Sequence, residues 1–179
     1  MAQENLISMD AILQAQSRPP GYVEKNAKAF FTRPANTTQY AVSDAVGDGR
    51  VLTFPGMVSR VGGSGFILKA RLMVNDTTTT SALFRLYLYN SPPAAIADNA
   101  QKTLLFANRE KRVGYIDFVL STEGTGSDAA GSLQLNLNIP FVAAPNDTNL
   151  YGVLAALATY TPAANSTNWF IELTTESFE

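Results

Sequence analysis

The chain has 179 residues, 46% of them hydrophobic, and a formal net charge of −2. A single domain of this length buries roughly 70% of its unfolded surface. Charged residues make up 16%, below the usual value of about 25%, and the isoelectric point near 5.2 gives no global basic field to attract nucleic acid. With no His and no Cys, the chain has no disulfide, no thiolate nucleophile, no Cys or His zinc site and no imidazole base. The expectation is a protein that is not an enzyme and holds no cofactor or metal.

In chain order, residues 1–38 stand apart. The opening run MAQENLISMDAILQAQSRPPG lacks both the basic and the long apolar stretch of a signal peptide, and no segment reaches the ~18 apolar residues of a membrane span. Asp10 is placed to cap a short helix over Ala11 to Ser17, which Pro19, Pro20 and Gly21 would stop. Lys25, Lys28 and Arg33 surround Phe30 and Phe31 without a sustained hydrophobic period. The reading is a loosely structured N-terminal arm over 1–38 that orders on binding, followed by one domain over 39–179.

From Gln39 onward the pattern has period two. Phe66, Leu68, Ala70, Leu72 and Val74 form one face of a predicted strand, with Lys69, Arg71 and Asn75 opposite, beside Ile67 and Met73. Ala82, Phe84, Leu86 and Leu88 repeat it against Arg85, Tyr87 and Tyr89. Leu133, Leu135, Leu137 and Ile139 alternate strictly with Gln134, Asn136 and Asn138, and Trp169, Ile171 and Leu173 with Phe170, Glu172 and Thr174. Weaker strands fit 51–54, 113–120 and 151–158, with short edge strands at 39–42 and 103–106. Turn signals separate them, among them Gly62-Gly63-Ser64-Gly65 and Asn90-Ser91-Pro92-Pro93. Short strands at this spacing, joined by some long connections, predict an all-β antiparallel sandwich of jelly-roll or Greek-key type.

The candidate chemistry is sparse. The glycine run at 62–65 leads into a strand, not a helix, and lacks the lysine of a phosphate loop. Glu123 and Asp128 offer too few oxygens for a calcium loop. Asn36, Asn75, Asn146 and Asn165 open Asn-x-Ser/Thr triplets that read as turn and strand residues. Arg109, Lys111 and Arg112, with Glu110, form a short charged turn that reads first as a solvated hairpin tip, with an acidic patch on a partner as the alternative. Tyr87, Tyr89, Tyr115, Tyr151, Tyr160 and Trp169 suit subunit packing better than a sugar platform. The few charges on the predicted outward faces point to self-association.

Four segments carry a resemblance: FPGMVSRVGGSGFILKARLMVN, FRLYLYNSPPAAIADN, VGYIDFVLSTEGTGSDAAG and LYGVLAALATYTPA. Their sequence resembles the head-decoration (capsid cement) proteins of tailed bacteriophages. The resemblance implies a jelly-roll-like homo-oligomer, a trimer favoured over a dimer, made in the host bacterial cytoplasm and bound to the major capsid protein on the outer surface of the virion. No nucleic acid and no membrane would take part. Leu6, Ile7, Ile12, Leu13, Lys25, Lys28, Phe30, Phe31 and Arg33 would then be the docking residues of the arm. Tyr87, Tyr89, Arg109, Lys111 and Arg112 would form the self-association or partner face. The alternative is a carbohydrate- or receptor-binding module of a tail fibre or baseplate, and a carboxylate hydrolase using Glu123 is a residual third.

Overall fold

A computed structural model describes residues 21–79, 81–122, 124, 128–163 and 166–178. Among these are ten strands: β1 (Tyr22–Thr32), β2 (Leu52–Phe54), β3 (Ser64–Val74), β4 (Leu83–Tyr89), β5 (Arg112–Val119), β6 (Ser121–Thr122), β7 (Ala130–Gln134), β8 (Ile139–Val142), β9 (Leu150–Ala156) and β10 (Asn168–Phe178). The ladders among the described residues are all antiparallel. One sheet runs β1-β10-β3-β7-β6, with β8 also on β3; the other runs β2-β9-β4-β5. The pairs are nested: β4 with β5, β3 with β7 and β8, β2 with β9, β1 with β10. Such nesting is a long hairpin rolled up so that successive pairs alternate between sheets, which is the jelly roll.

The core lies between the sheets. Phe54, Ile67, Leu72, Phe84, Leu86, Leu88, Phe118, Leu154, Trp169, Ile171 and Leu173 are all buried there. Phe84 meets Trp169 edge-on at 5.1 Å, and Phe31 stacks on the same indole at 5.7 Å. A quadrupole favours such offset and edge contacts. Tyr40 stacks on Tyr160 at 5.6 Å at one end of the core.

Several expectations need correction. Residues 22–32 are not a loose arm: β1 pairs with β10 along its full length and sends Ala27, Ala29 and Phe31 inward. The alternation was present, but alanines made it faint and adjacent Phe30 and Phe31 obscured it. In β3 the register slips where Thr174 and Thr175 face Lys69 and Ile67, so Leu68 is an extra, bulged residue. Ile67 is therefore fully buried, and Phe66 and Leu68 leave the inward set.

The alternating run from Leu133 to Ile139 is not one strand. Asn136 and Asn138 adopt left-handed backbone, φ 56° and 49°, which asparagine tolerates, and the chain leaves the ladder after Gln134. Leu133 lies on the outward face of β7 opposite Arg71, and Leu135 follows the end of the strand; both are more than half exposed. The proposed edge strand at 103–106 is likewise absent, since the chain there enters a 3-10 turn over Phe106–Lys111. At 39–42 only Tyr40 bridges, to Tyr160. Gly65 lies within β3, where a Cβ would stand 2.4 Å from the Glu176 carbonyl oxygen of β10; close strand approach, not turn flexibility, requires glycine there.

Candidate interaction surface

The outward side chains of β4 and β5 are set by register: Leu83 faces Val119, Arg85 faces Asp117, and Tyr87 faces Tyr115. Arg85 donates from Nε and Nη2 to the two Asp117 oxygens at 2.6 and 2.7 Å, a bidentate pair. That bond holds the guanidinium charged far above its ordinary range. The same guanidinium lies 3.9 Å from the centre of the Tyr115 ring. Arg112, which opens β5, reaches 5.3 Å from the Tyr87 centre and 5.7 Å from that of Tyr115.

Lys102 completes the cluster from the long β4–β5 connection. Residues 43–46 continue alongside β9 past the end of β2, bonding Ala156 and Leu154, and residues 99–102 pair in turn with 43–45. The Lys102 amide donates to the Ser43 carbonyl at 2.8 Å. Tyr40 Oη donates to Asp98 at 2.6 Å and anchors the base of this connection. Thus held, the Lys102 ammonium sits 3.5 Å from the Tyr87 ring centre. Burial pushes its pKa down to about 8, and the Arg112 and Arg85 charges push the same way.

Tyr89 is displaced from the surface assigned to it. It is buried with Ala45 and Val153, and Tyr87, Ile96 and Tyr151 pack against that group. A groove of about 210 Å³ opens above it, lined chiefly by Pro93, Ile96, Leu104, Leu105 and Val153. Arg109 and Lys111 lie on the 3-10 turn; Arg109 bonds the Phe106 carbonyl and Glu110 and covers the exposed Phe106 ring. Of the expected partner face, then, the structure unites Tyr87 with Arg112 and adds Arg85, Lys102 and Tyr115. Outward placement of Arg85 was legible in the period of β4. Nothing local in the sequence announces Lys102, because the pairing of 99–102 with 43–45 places it. Each of Tyr87 and Tyr115 carries a cation over its ring, where a sugar platform would offer an open face.

The outer face of the six-stranded sheet is banded by register. Phe30, Phe170 and Met73 form an apolar row; Lys28, Glu172 and Arg71 form a charged row beside it that ends at Leu133. Asn26 donates to Glu172 at 2.6 Å, and Lys28 lies 5.5 Å from the Phe170 ring centre. Further along, Tyr22 and Phe66 both pack on Phe178.

The candidate docking residues therefore separate. Lys28 and Phe30 are exposed, whereas Lys25 is half-buried. Phe31 and Arg33 are structural: Phe31 is in the core, and buried Arg33 donates to the Asn36 and Ala163 carbonyls at 2.9 and 3.0 Å. Leu6, Ile7, Ile12 and Leu13, with the short helix expected at 11–17, lie outside the described residues, as does Glu123. No cluster of three or more carboxylates suited to a metal occurs among the described residues. No helix among them is long and apolar enough to cross a membrane.

No family model matches the chain, and no curated protein does. Solved structures similar to it include the capsid asymmetric unit of cyanophage Pam1, at 12% identity over 90% of this chain and 89% of that one, with a TM-score of 0.38. Desmodium yellow mottle tymovirus is similar at 12% identity over 90% and 89%, with a TM-score of 0.33. The decameric BFDV capsid protein is similar at 12% identity over 88% and 99%, with a TM-score of 0.35.

Proposed function

We propose that this chain is a structural virion protein that binds the outer surface of a tailed-phage capsid and stabilises the shell. The observation that carries the reading is adhesive surface on a sandwich whose core is already complete. Phe30, Leu133 and Leu135 are exposed on one sheet face, Tyr115 and Val119 on the other. Isolated exposed apolar residues are ordinary, but rows of them on sheet faces suit burial against another chain. The four segments resembling head-decoration proteins supply the partner, the major capsid protein.

Binding of this kind acts by mass action. A protein that binds the assembled shell and not its dissociated subunits stabilises it by about 3 kcal/mol per site at a hundredfold excess over Kd. A homo-oligomer touching several capsomers multiplies the effect through effective concentration. In this reading Leu6, Ile7, Ile12 and Leu13 reach across a subunit boundary, and Lys28 and Phe30 extend the contact onto β1.

Co-sedimentation with expanded capsids lacking this protein tests the proposal. The full chain is expected to pellet with the particles, and a chain beginning at Gly21 to remain folded and stay in the supernatant. Failure of the full chain to pellet would sink the capsid reading. Undiminished pelleting of the shortened chain would remove the role given to residues 1–20.

A further inference from the structure

We propose that the cation cluster of Arg85, Lys102 and Arg112, together with the apolar groove beside it, is one binding site for an acidic segment of a protein partner. An apolar side chain of the segment enters the groove, and its neighbouring carboxylates meet the cations. This goes beyond the capsid reading and does not depend on it.

The first support is uncompensated charge. Three cations lie 3.5, 5.3 and 5.9 Å from the centre of one ring, that of Tyr87. Among the described residues, Asp117 is the only carboxylate paired with any of them, and Arg85 takes both of its oxygens. Neither Lys102 nor Arg112 has a carboxylate within 4.0 Å among those residues. Like charges held together, one of them half-buried, oppose folding, and an incoming anion relieves that opposition.

Continuity of the two parts is the second support. Gln101 and Thr103 line the groove and Lys102 lies between them; Tyr89 lines it too, two residues along the same strand face from Tyr87. Leu104 and Leu105 leave its rim apolar and exposed. At about 210 Å³ it is smaller than the roughly 300 Å³ floor of small-molecule sites, and it suits a single side chain. An apolar anchor flanked by carboxylates is the ligand that both parts fit.

Overall charge decides between carboxylate and polyphosphate. The chain has 15 acidic and 13 basic residues, so a nucleic acid would meet a repulsive background beyond this patch. A short acidic peptide presents its charge only where the cations are.

An array of twelve-residue peptides tests the site. Each carries one Leu or Phe with two to four Asp or Glu at varied spacings, alongside neutral and basic counterparts; inorganic tripolyphosphate serves as competitor. The full-length protein is expected to retain acidic peptides with an apolar anchor. Lys102→Gln with Arg112→Gln should weaken that retention at least tenfold, and Leu105→Ser should weaken it with the cations intact. Circular dichroism confirms that each variant is folded. The proposal fails if the protein shows no preference for the acidic set, if the double variant binds as well as the wild type, or if tripolyphosphate is preferred to the peptides. These results leave capsid co-sedimentation untouched, so the two readings fail separately.

Discussion

Lys102 is a single side chain whose setting opposes stability. Its ammonium is half-buried beside Tyr87, and the charges facing it from β4 and β5 are Arg85, Arg112, and Asp117, already paired to Arg85. Tyr87 and Tyr115 complete the surround. Its pKa falls from 10.5 to about 8 through burial first and the two guanidinium groups second. Between those values the unfolded chain holds a proton that the folded chain has released, so this group makes stability rise with pH. The gain begins above about pH 8 and is complete near the ordinary lysine value. Lys102→Met removes the titration and keeps much of the stem packing. Denaturant unfolding at about pH 7 and about pH 9.5 should therefore show the wild type gaining on the variant as pH rises. Tyr40 and Tyr160, both raised by burial with Asp98 and Asp76 beside them, resist ionisation in the folded state and act oppositely only above about pH 10; they are common to both proteins. A pH-independent difference between the two would show that Lys102 is not held as described.

Strand β1 carries the lesson at the scale of the element. Its inward residues Ala27, Ala29 and Phe31 close one side of the core, and its eleven residues pair with β10 throughout. Removing residues 1–20 should leave this strand intact, whereas removing 1–35 strips β10 of its outer partner and exposes Trp169, on which Phe31 stacks. Loss of a buried Phe alone costs about 3–5 kcal/mol, a large share of a domain's 5–15 kcal/mol, so the longer truncation should lose cooperative thermal unfolding or aggregate. A cooperative transition unchanged from that of the shorter truncation would overturn this. Why β1 was illegible, while β4, β5 and β9 were close to their predicted bounds, is a matter of side-chain size. Phe84, Leu86 and Leu88 announce a buried face; two alanines do not. The run from Leu133 to Ile139 erred in the opposite direction, since its perfect alternation could not reveal left-handed Asn136 and Asn138. The bulge at Leu68 was equally hidden, because it depends on how β3 meets β10. Nested pairing itself leaves no local trace, and the same holds for Lys102, which two bridging segments carry to Tyr87.

For the whole molecule, the question is how a complete sandwich uses two unlike faces. On one, Lys102 and Arg112 present positive charge beside Tyr87 without a carboxylate of their own among the described residues. On the other, Leu133 and Leu135 are 53% and 55% exposed and Phe30 is 68% exposed, beside a charged row with its own internal pairs. We propose that self-association uses the six-stranded face, where Phe30, Leu133 and Leu135 are exposed, in place of the Tyr87 and Tyr89 face expected from the sequence. Closed symmetry allows a dimer or a trimer, and the capsid reading proposed above favours the trimer. Sedimentation equilibrium at micromolar concentration is expected to give three chain masses for the wild type. Placing Lys at both Leu133 and Leu135 puts two unpaired charges into that contact without touching the core, and should yield single chains with an unchanged unfolding midpoint. Persistence of the oligomer in this variant would move the contact elsewhere on the fold. A wild type that sediments as a single chain would leave the exposed leucines to the capsid alone.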